Sequence, residues 1–325
     1  MAHTDDDYTP RVPPERGEEV LGPAVEIVSA GNEVLLGDVL DTNTNWLCTR
    51  VTGLGGHVRR TVMLRDEVET IAAELRGAIG RRPALVFTVG GLGPTTDDLT
   101  LLGVAAALDV PLALDDEAVA MVRERYEQFA SRDHVPFAGL NEARLKMARL
   151  PRGSRPLVNP VGGAPGVLIE LGAGQLERLD GRRHEAARGL PSADSSVAPS
   201  GPPPVSVVSL PGVPSELKAI VDESLDEVLE RIFGDAHFEE RSLLVATQDE
   251  SAIADVLAEV ERDHPRVYIK SRAQRIGSDR VNRVTAAARG ADGAEVEALL
   301  TPVIDDLRRG IAAVGFETRV ETGEE

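Results

Sequence analysis

A chain of 325 residues, 42% of them apolar, has enough aliphatic side chain for one large domain or two ordinary ones. Aspartate and glutamate outnumber lysine and arginine 54 to 35, a formal charge of −19, and only three basic residues are lysines (Lys146, Lys218 and Lys270). Acidity spread so evenly excludes broad attraction to a nucleic-acid backbone and matches a halophile-like chain that stays hydrated in concentrated salt. A lone Cys48 leaves no intramolecular disulfide and no cysteine-based zinc cluster, and the six histidines form no HxxxH-type pair. No apolar run reaches the roughly 18 residues of a membrane helix and the N-terminus is acidic rather than signal-like, so a soluble cytoplasmic chain without a membrane partner is expected.

In chain order, residues 1–23 are charged and proline-rich and are expected to be a disordered extension. AVEIVSA (24–30) reads as a buried strand, 42–54 as an amphipathic stretch and HVRRTVML (57–64) as a second strand. A helix is expected over 67–80, where Ile71, Leu75 and Ile79 are spaced four apart, followed by ALVFTV (84–89), a strand buried on both faces. Helices are expected through LTLLGVAAAL, over 115–130 and over 139–149. GVLIEL and VSVVSL would form a hairpin around a long Gly-, Pro- and Ser-rich insertion at 172–204. A helix over 214–233 closes this domain, 24–236. The remainder, 237–318, reads β-α-β-β-α as a small separate module before an acidic tail, 319–325. Strands alternating with helices predict a doubly wound, three-layer α/β domain with a mainly parallel sheet, whose ligands sit beyond the C-terminal strand ends.

One such end is VGGLGPTTDDLT (89–100). Gly90, Gly91 and Gly93 let backbone N–H groups approach an anion, and the helix that follows adds the positive end of its dipole. The competing reading is a tight turn with one N-capping aspartate, but this loop carries two, Asp97 and Asp98. Carboxylates beside bound phosphate call for a cation between them, and Mg²⁺ or another divalent ion suits hard oxygen ligands and substrate phosphates. The loop after the first strand brings Glu33, Asp38, Asp41 and Asn43 to the same rim, and the loop after the second brings Asp66. Each aspartate alone reads most simply as a helix cap; their coincidence at one edge favours a site.

AGNEVLLGDVLDTNTNWL, LRDEVETI and VGGLGPTTDDLT together resemble the molybdopterin-binding (MoaB/Mog-like) domain. LNEARLKMARLPRGSRPLVNPVGGAPG and SLPGVPSELKAI resemble its CinA (competence/damage-inducible protein A) branch, and with the acidity they suggest a haloarchaeal member. The resemblance extends over about 24–171 and 205–318, and its last part is similar to a KH-like α+β module. That part lacks a GxxG, so RNA binding does not follow and no nucleic-acid partner is expected. The deamidase domain of many CinA proteins has no counterpart here, so deamidation is not expected.

The resemblance implies binding of a phosphorylated small molecule, a nucleotide or a pterin such as molybdopterin, by a protein that forms a homodimer. Gly31, Glu33, Asn43, Gly90, Gly91, Leu92, Gly93, Thr95 and Lys146, with Pro211, Gly212, Pro214 and Glu216 as a second wall, would hold the ligand. Asp66 and Asp98 would be catalytic, and Asp41, Asp66, Asp97 and Asp98 would supply the metal ligands. Two reactions are implied: metal-dependent hydrolysis of a dinucleotide pyrophosphate of the ADP-ribose or FAD type, and adenylyl transfer to molybdopterin. A third reading is binding without turnover. Asp97 stands where Mog-type motifs carry arginine, which favours the metal-dependent branch. Met147 replaces the family's glutamine.

Overall fold

The computed structural model of the chain describes residues 22–132, 135, 139–186, 204–234, 236–276 and 279–321. The expected N-terminal extension up to 21, the 187–203 part of the insertion and the last four residues of the tail lie outside the described residues. Two compact units form, one spanning Pro23–Ala236 and one built on His237–Glu325.

The first unit is wound around a six-stranded sheet. Its elements are β1 (Ala24–Ala30), α1 (Asn32–Leu35), α2 (Thr42–Gly53), β2 (His57–Leu64), α3 (Val68–Gly80), β3 (Leu85–Val89), α4 (Thr100–Leu108), β4 (Leu112–Leu114) and α5 (Asp116–Ser131). There follow α6 (Glu142–Lys146), β5 (Arg149–Pro151), β6 (Arg155–Leu157), β7 (Gly166–Leu171), α7 (Ala173–Ala186), β8 (Val205–Leu210), α8 (Pro214–Ser224) and α9 (Asp226–Phe233).

The strand order is β2-β1-β3-β8-β7-β6. β2, β1, β3 and β8 run parallel, whereas β7 is antiparallel to both β8 and β6. Central strands of such a sheet must be apolar on both faces, and all seven residues of β1 and all five of β3 are buried. Alternate residues feed two cores. Val25, Ile27 and Phe87 pack with Leu47, Ile220 and Phe233 of α2, α8 and α9. Val28 and Val86 pack on the opposite face with Leu75 and Ile79 of α3 and with Leu176 of α7. Burying each such side chain contributes about 1.5–3 kcal/mol. The expected doubly wound α/β fold is the fold found.

Three segments differ from expectation. The helix expected over 139–149 shrinks to α6, because Arg149–Pro151 pairs with β4 and Pro151 cannot continue a helix. The helix over 214–233 is two, joined at Leu225 (φ −114°, ψ 0°), while both halves bury residues in the same core. Residues 173–186, assigned by composition to an irregular insertion, are helical, with Leu176 fully buried and Leu179 packed beside it.

The second unit is an antiparallel sheet of β9 (His237–Val245), β10 (Tyr268–Ile276), β11 (Asp279–Gly290) and β12 (Thr318–Val320), in the order β10-β11-β9-β12. Helices α10 (Ala254–Asp263) and α11 (Gly293–Ala313) complete a core of Leu243, Val284, Ala286, Val260, Leu300 and Leu307. The expected β-α-β-β-α order thus gains a closing strand, β12, from residues assigned in part to the tail.

Candidate functional site

Parallel pairing brings the C-terminal ends of four strands to one rim, with Ala30 opposite Leu64, Ser29 opposite Val89, and Val89 opposite Leu210. The chain turns away at once after β1 and β3: Gly31 N–H donates to Leu64 O at 3.1 Å and Gly90 N–H to Leu210 O at 2.9 Å. Gly90 lies at φ +92°, and a Cβ there would fall 2.2 Å from the carbonyl oxygen of Ala30. Gly91 lies at φ +64°, with its Cβ position 2.4 Å from the Thr100 hydroxyl. Only glycine fits either position.

Beyond these glycines the loop is built by its own carboxylates. Asp98 Oδ2 accepts from Thr95 N–H at 2.8 Å and lies 2.6 Å from Thr95 Oγ1, while Asp97 also bonds the Thr95 hydroxyl. Lys146, on α6, donates to Gly93 O at 3.0 Å and Asp98 O at 2.7 Å, closing the loop from behind. Burial pushes its ammonium pKa down, against the charges of Asp98 and Asp97. Neither aspartate caps α4: its N-cap is Leu99, with no side-chain cap bond. The N–H groups of Gly91, Leu92 and Gly93 have no partner among the described residues. An uncapped helix start beside free amides is a cradle for an anion. A cavity of about 140 Å³ opens between this loop, Lys146 and Arg149.

Asp66 meets the same rim from the second strand. Its Oδ2 accepts from Asn32 N–H at 2.8 Å, which fixes the start of α1 and leaves Oδ1 without a partner among the described residues. Burial holds its pKa above the usual aspartate range, and the charges of Glu33, Asp97 and Asp98 raise it further against the Asn32 bond. Glu33, Asp97 and Asp98 are therefore all within electrostatic reach of Asp66. Glu33 folds over Gly31, its Oε1 2.7 Å from where a Cβ would stand.

Asp41 does not join them. It caps α2, accepting from Thr44 N–H at 2.9 Å and Thr44 Oγ1 at 2.6 Å, which removes it from the expected metal set. Among the described residues no three His, Cys, Asp or Glu side chains are placed to hold a metal ion. The remaining donors, Asp66 with Asp97 or Asp98, fit a cation that takes one or two protein carboxylates and fills its shell with ligand oxygens and water, not a cage made by protein alone.

The Pro211–Glu216 segment divides in two. Gly212 packs on the loop, its Cβ position 3.5 Å from Gly90 Cα, and its carbonyl accepts from Asn43 Nδ2 at 2.7 Å. Asn43 is buried and its Oδ1 has no partner in the described chain; the Thr100 hydroxyl beneath Gly91 is likewise unpaired. Pro214 starts α8 at a position where a missing N–H costs nothing. Glu216, by contrast, is engaged by the Asn159–Gly166 turn rather than by any group of the glycine loop among the described residues. It lies against Gly162 and accepts from Asn159 Nδ2 at 2.7 Å. Burial pushes its carboxyl pKa up, offset by that bond and by the Arg125 charge. Asn159 also donates to Ala164 O and accepts from the N–H groups of Val161 and Gly162, so it folds the Asn159–Gly166 turn.

Sequence reasoning missed Asn159 as the hub of that turn and Arg149 as a lining residue. Asn159 is visible inside the quoted stretch that ends VNPVGGAPG; Arg149 is signalled only by lying three residues beyond Lys146.

Comparison with known proteins adds the following. A family profile described as "Probable molybdopterin binding domain" matches residues 26–231. A protein of Aeropyrum pernix is 40% identical over 296 residues, 90% of this chain and 95% of its own. The crystal structure of the protein CinA from Thermoplasma acidophilum is 30% identical, covering 63% of this chain and 98% of that one at a TM-score of 0.47. The tungsten cofactor synthesizing protein MoaB from Pyrococcus furiosus is 14% identical, covering 65% and 97% at a TM-score of 0.36. Among the described residues no helix is long and apolar enough to cross a membrane.

Proposed function

As the chain belongs to the molybdopterin-binding domain family, we propose that its glycine-loop rim binds a nucleotide or pterin phosphate and hydrolyses a dinucleotide pyrophosphate of the ADP-ribose or FAD type. One observation carries this reading: the N–H groups of Gly91, Leu92 and Gly93, without a partner among the described residues and at an uncapped helix start, lie in the same strand-end loops as Asp66 and the Glu33, Asp97 and Asp98 carboxylates that act on it. Such amides hold a phosphate, and Lys146 keeps the Gly93 and Asp98 carbonyls turned away from it. Asp66, with Oδ1 unengaged, orients a water for attack on one phosphorus while the second phosphate leaves, giving two monophosphates. A divalent cation such as Mg²⁺, held by Asp66 with Asp97 or Asp98 and by the ligand's own oxygens, would supply charge neutralisation between phosphate and carboxylates.

The family's description names molybdopterin as what such a domain binds, and on that ground we keep a second reading, adenylyl transfer to molybdopterin on the same rim. The test is AMP release: purified protein with Mg²⁺ in high salt is given ADP-ribose, FAD, or ATP with molybdopterin. Hydrolysis of the dinucleotides supports the first reading and adenylylated molybdopterin the second. Tight binding without any product would leave a non-catalytic binding protein.

A further inference from the structure

We infer that Arg149 is a ligand-binding residue which, with Lys146, forms a cationic subsite behind the glycine loop for one phosphoryl group and the sugar face next to it. This rests on the reading of the rim as a phosphate site and specifies where one of the ligand's phosphoryl groups sits.

The first ground is placement. Arg149 is held at the start of β5 by its pairing with Leu114, and Lys146 ends α6 three residues earlier. Both line the cavity of about 140 Å³ whose other walls are the glycine loop and Leu101, Leu102 and Leu112. Neither Asp66 nor Glu33 is among its lining residues, so this cavity is the more cationic part of the rim. The wall's net charge is positive, because Asp98, the one acid lining the cavity, is set against both cations and already accepts from Thr95.

The second ground is that Arg149 is uncommitted. Its ion pair with Glu142 is long, 3.9 Å, and its partner's side chain is 87% exposed; a pair of that kind contributes little. A guanidinium offers five donors in a planar fork that suits phosphate oxygens, and among the described residues only the long Glu142 pair engages this one. The Lys146 ammonium has two of its three protons on carbonyls, which leaves one directed elsewhere.

The third ground is size and lining. The cavity is well below the ~300–1,000 Å³ of a pocket that encloses a whole ligand. It takes part of a ligand, and its leucine floor, with Leu102 42% exposed, suits the apolar face of a sugar beside the phosphate. The ligand class that fits is a phosphate ester or pyrophosphate with an organic group attached, not a bare anion.

Calorimetric binding of ADP-ribose and of inorganic pyrophosphate, at fixed salt, to wild type, Arg149→Met and Arg149→Lys tests this. Arg149→Met should weaken ADP-ribose binding about tenfold or more with an unchanged melting temperature, Arg149→Lys should recover part of the loss, and wild type should prefer ADP-ribose over pyrophosphate. ADP-ribose binding by Arg149→Met within twofold of wild type overturns the inference while leaving the phosphate reading intact. Wild type that binds pyrophosphate but not ADP-ribose overturns the sugar-face assignment. Wild type that binds neither overturns both.

Discussion

Glu216 carries a charge in a motif that reads as ligand-facing, yet its carboxylate is sunk against Gly162 and bonded to Asn159. Burial favours its neutral form, so Glu216→Gln, which keeps an oxygen for Asn159, should hold or raise the melting temperature at pH 7. It should also leave ADP-ribose affinity unchanged; a loss of affinity would return Glu216 to the ligand site. Asp41 and Asp98 show the same limit on sequence reading. Both are oxygen donors in polar loops after strands, but one caps α2 while the other ties a loop to itself. Residue type announces which chemistry is available; which partner a carboxylate takes is decided by side-chain directions that a one-dimensional pattern does not hold.

The glycine loop is the element whose reading from sequence was most complete. A strand buried on both faces, then glycines, then a helix forces a tight turn at a sheet edge, and the structure adds the two contacts that make glycine obligatory there. Gly90→Ala would place a Cβ against Ala30 O at a positive φ and should destabilise the first unit by about 2 kcal/mol or more. A chemical-denaturation midpoint unchanged from wild type would contradict the geometry. Elements with clean apolar periodicity, such as α3 with Ile71, Leu75 and Ile79, were legible because a single buried face dictates them. α7 was not, because Gly174 and its polar neighbours mask Leu176 and Leu179, whose helical spacing matters only once α3 and β7 give them a core to enter. The break at Leu225 was hidden for the opposite reason: α8 and α9 supply one continuous core, so the apolar pattern runs across it.

For the whole molecule, the acidic surface contrasts with one buried acid at the heart of the main sheet. Glu26 of β1 is 1% exposed and is bound by Arg81 at 2.6 Å and Arg59 at 2.8 Å. Burial pushes its pKa up, but the bonds and charges of the two arginines outweigh this and hold it below the usual glutamate range. A depressed folded pKa gives stability that is fully present above the unfolded value and is lost as pH falls through the folded one. Wild type should therefore lose this contribution below about pH 4.3, whereas Glu26→Gln should be less stable by about 2 kcal/mol at pH 7, with a flatter acid limb. That cost lies below the usual range for breaking a buried pair because both arginines reach solvent; parallel acid limbs would contradict the assignment. Glu26 supports the sheet, and the carboxylates at the sheet's far rim are the ones proposed to act on ligand. The most direct test of that proposal is AMP release from ADP-ribose by the full chain in high salt with Mg²⁺, wild type against Asp66→Asn. Turnover by wild type that falls at least a hundredfold in Asp66→Asn, with ADP-ribose still bound, is the expected result. Equal turnover in the two proteins, or ADP-ribose bound by wild type without release of AMP, would contradict it.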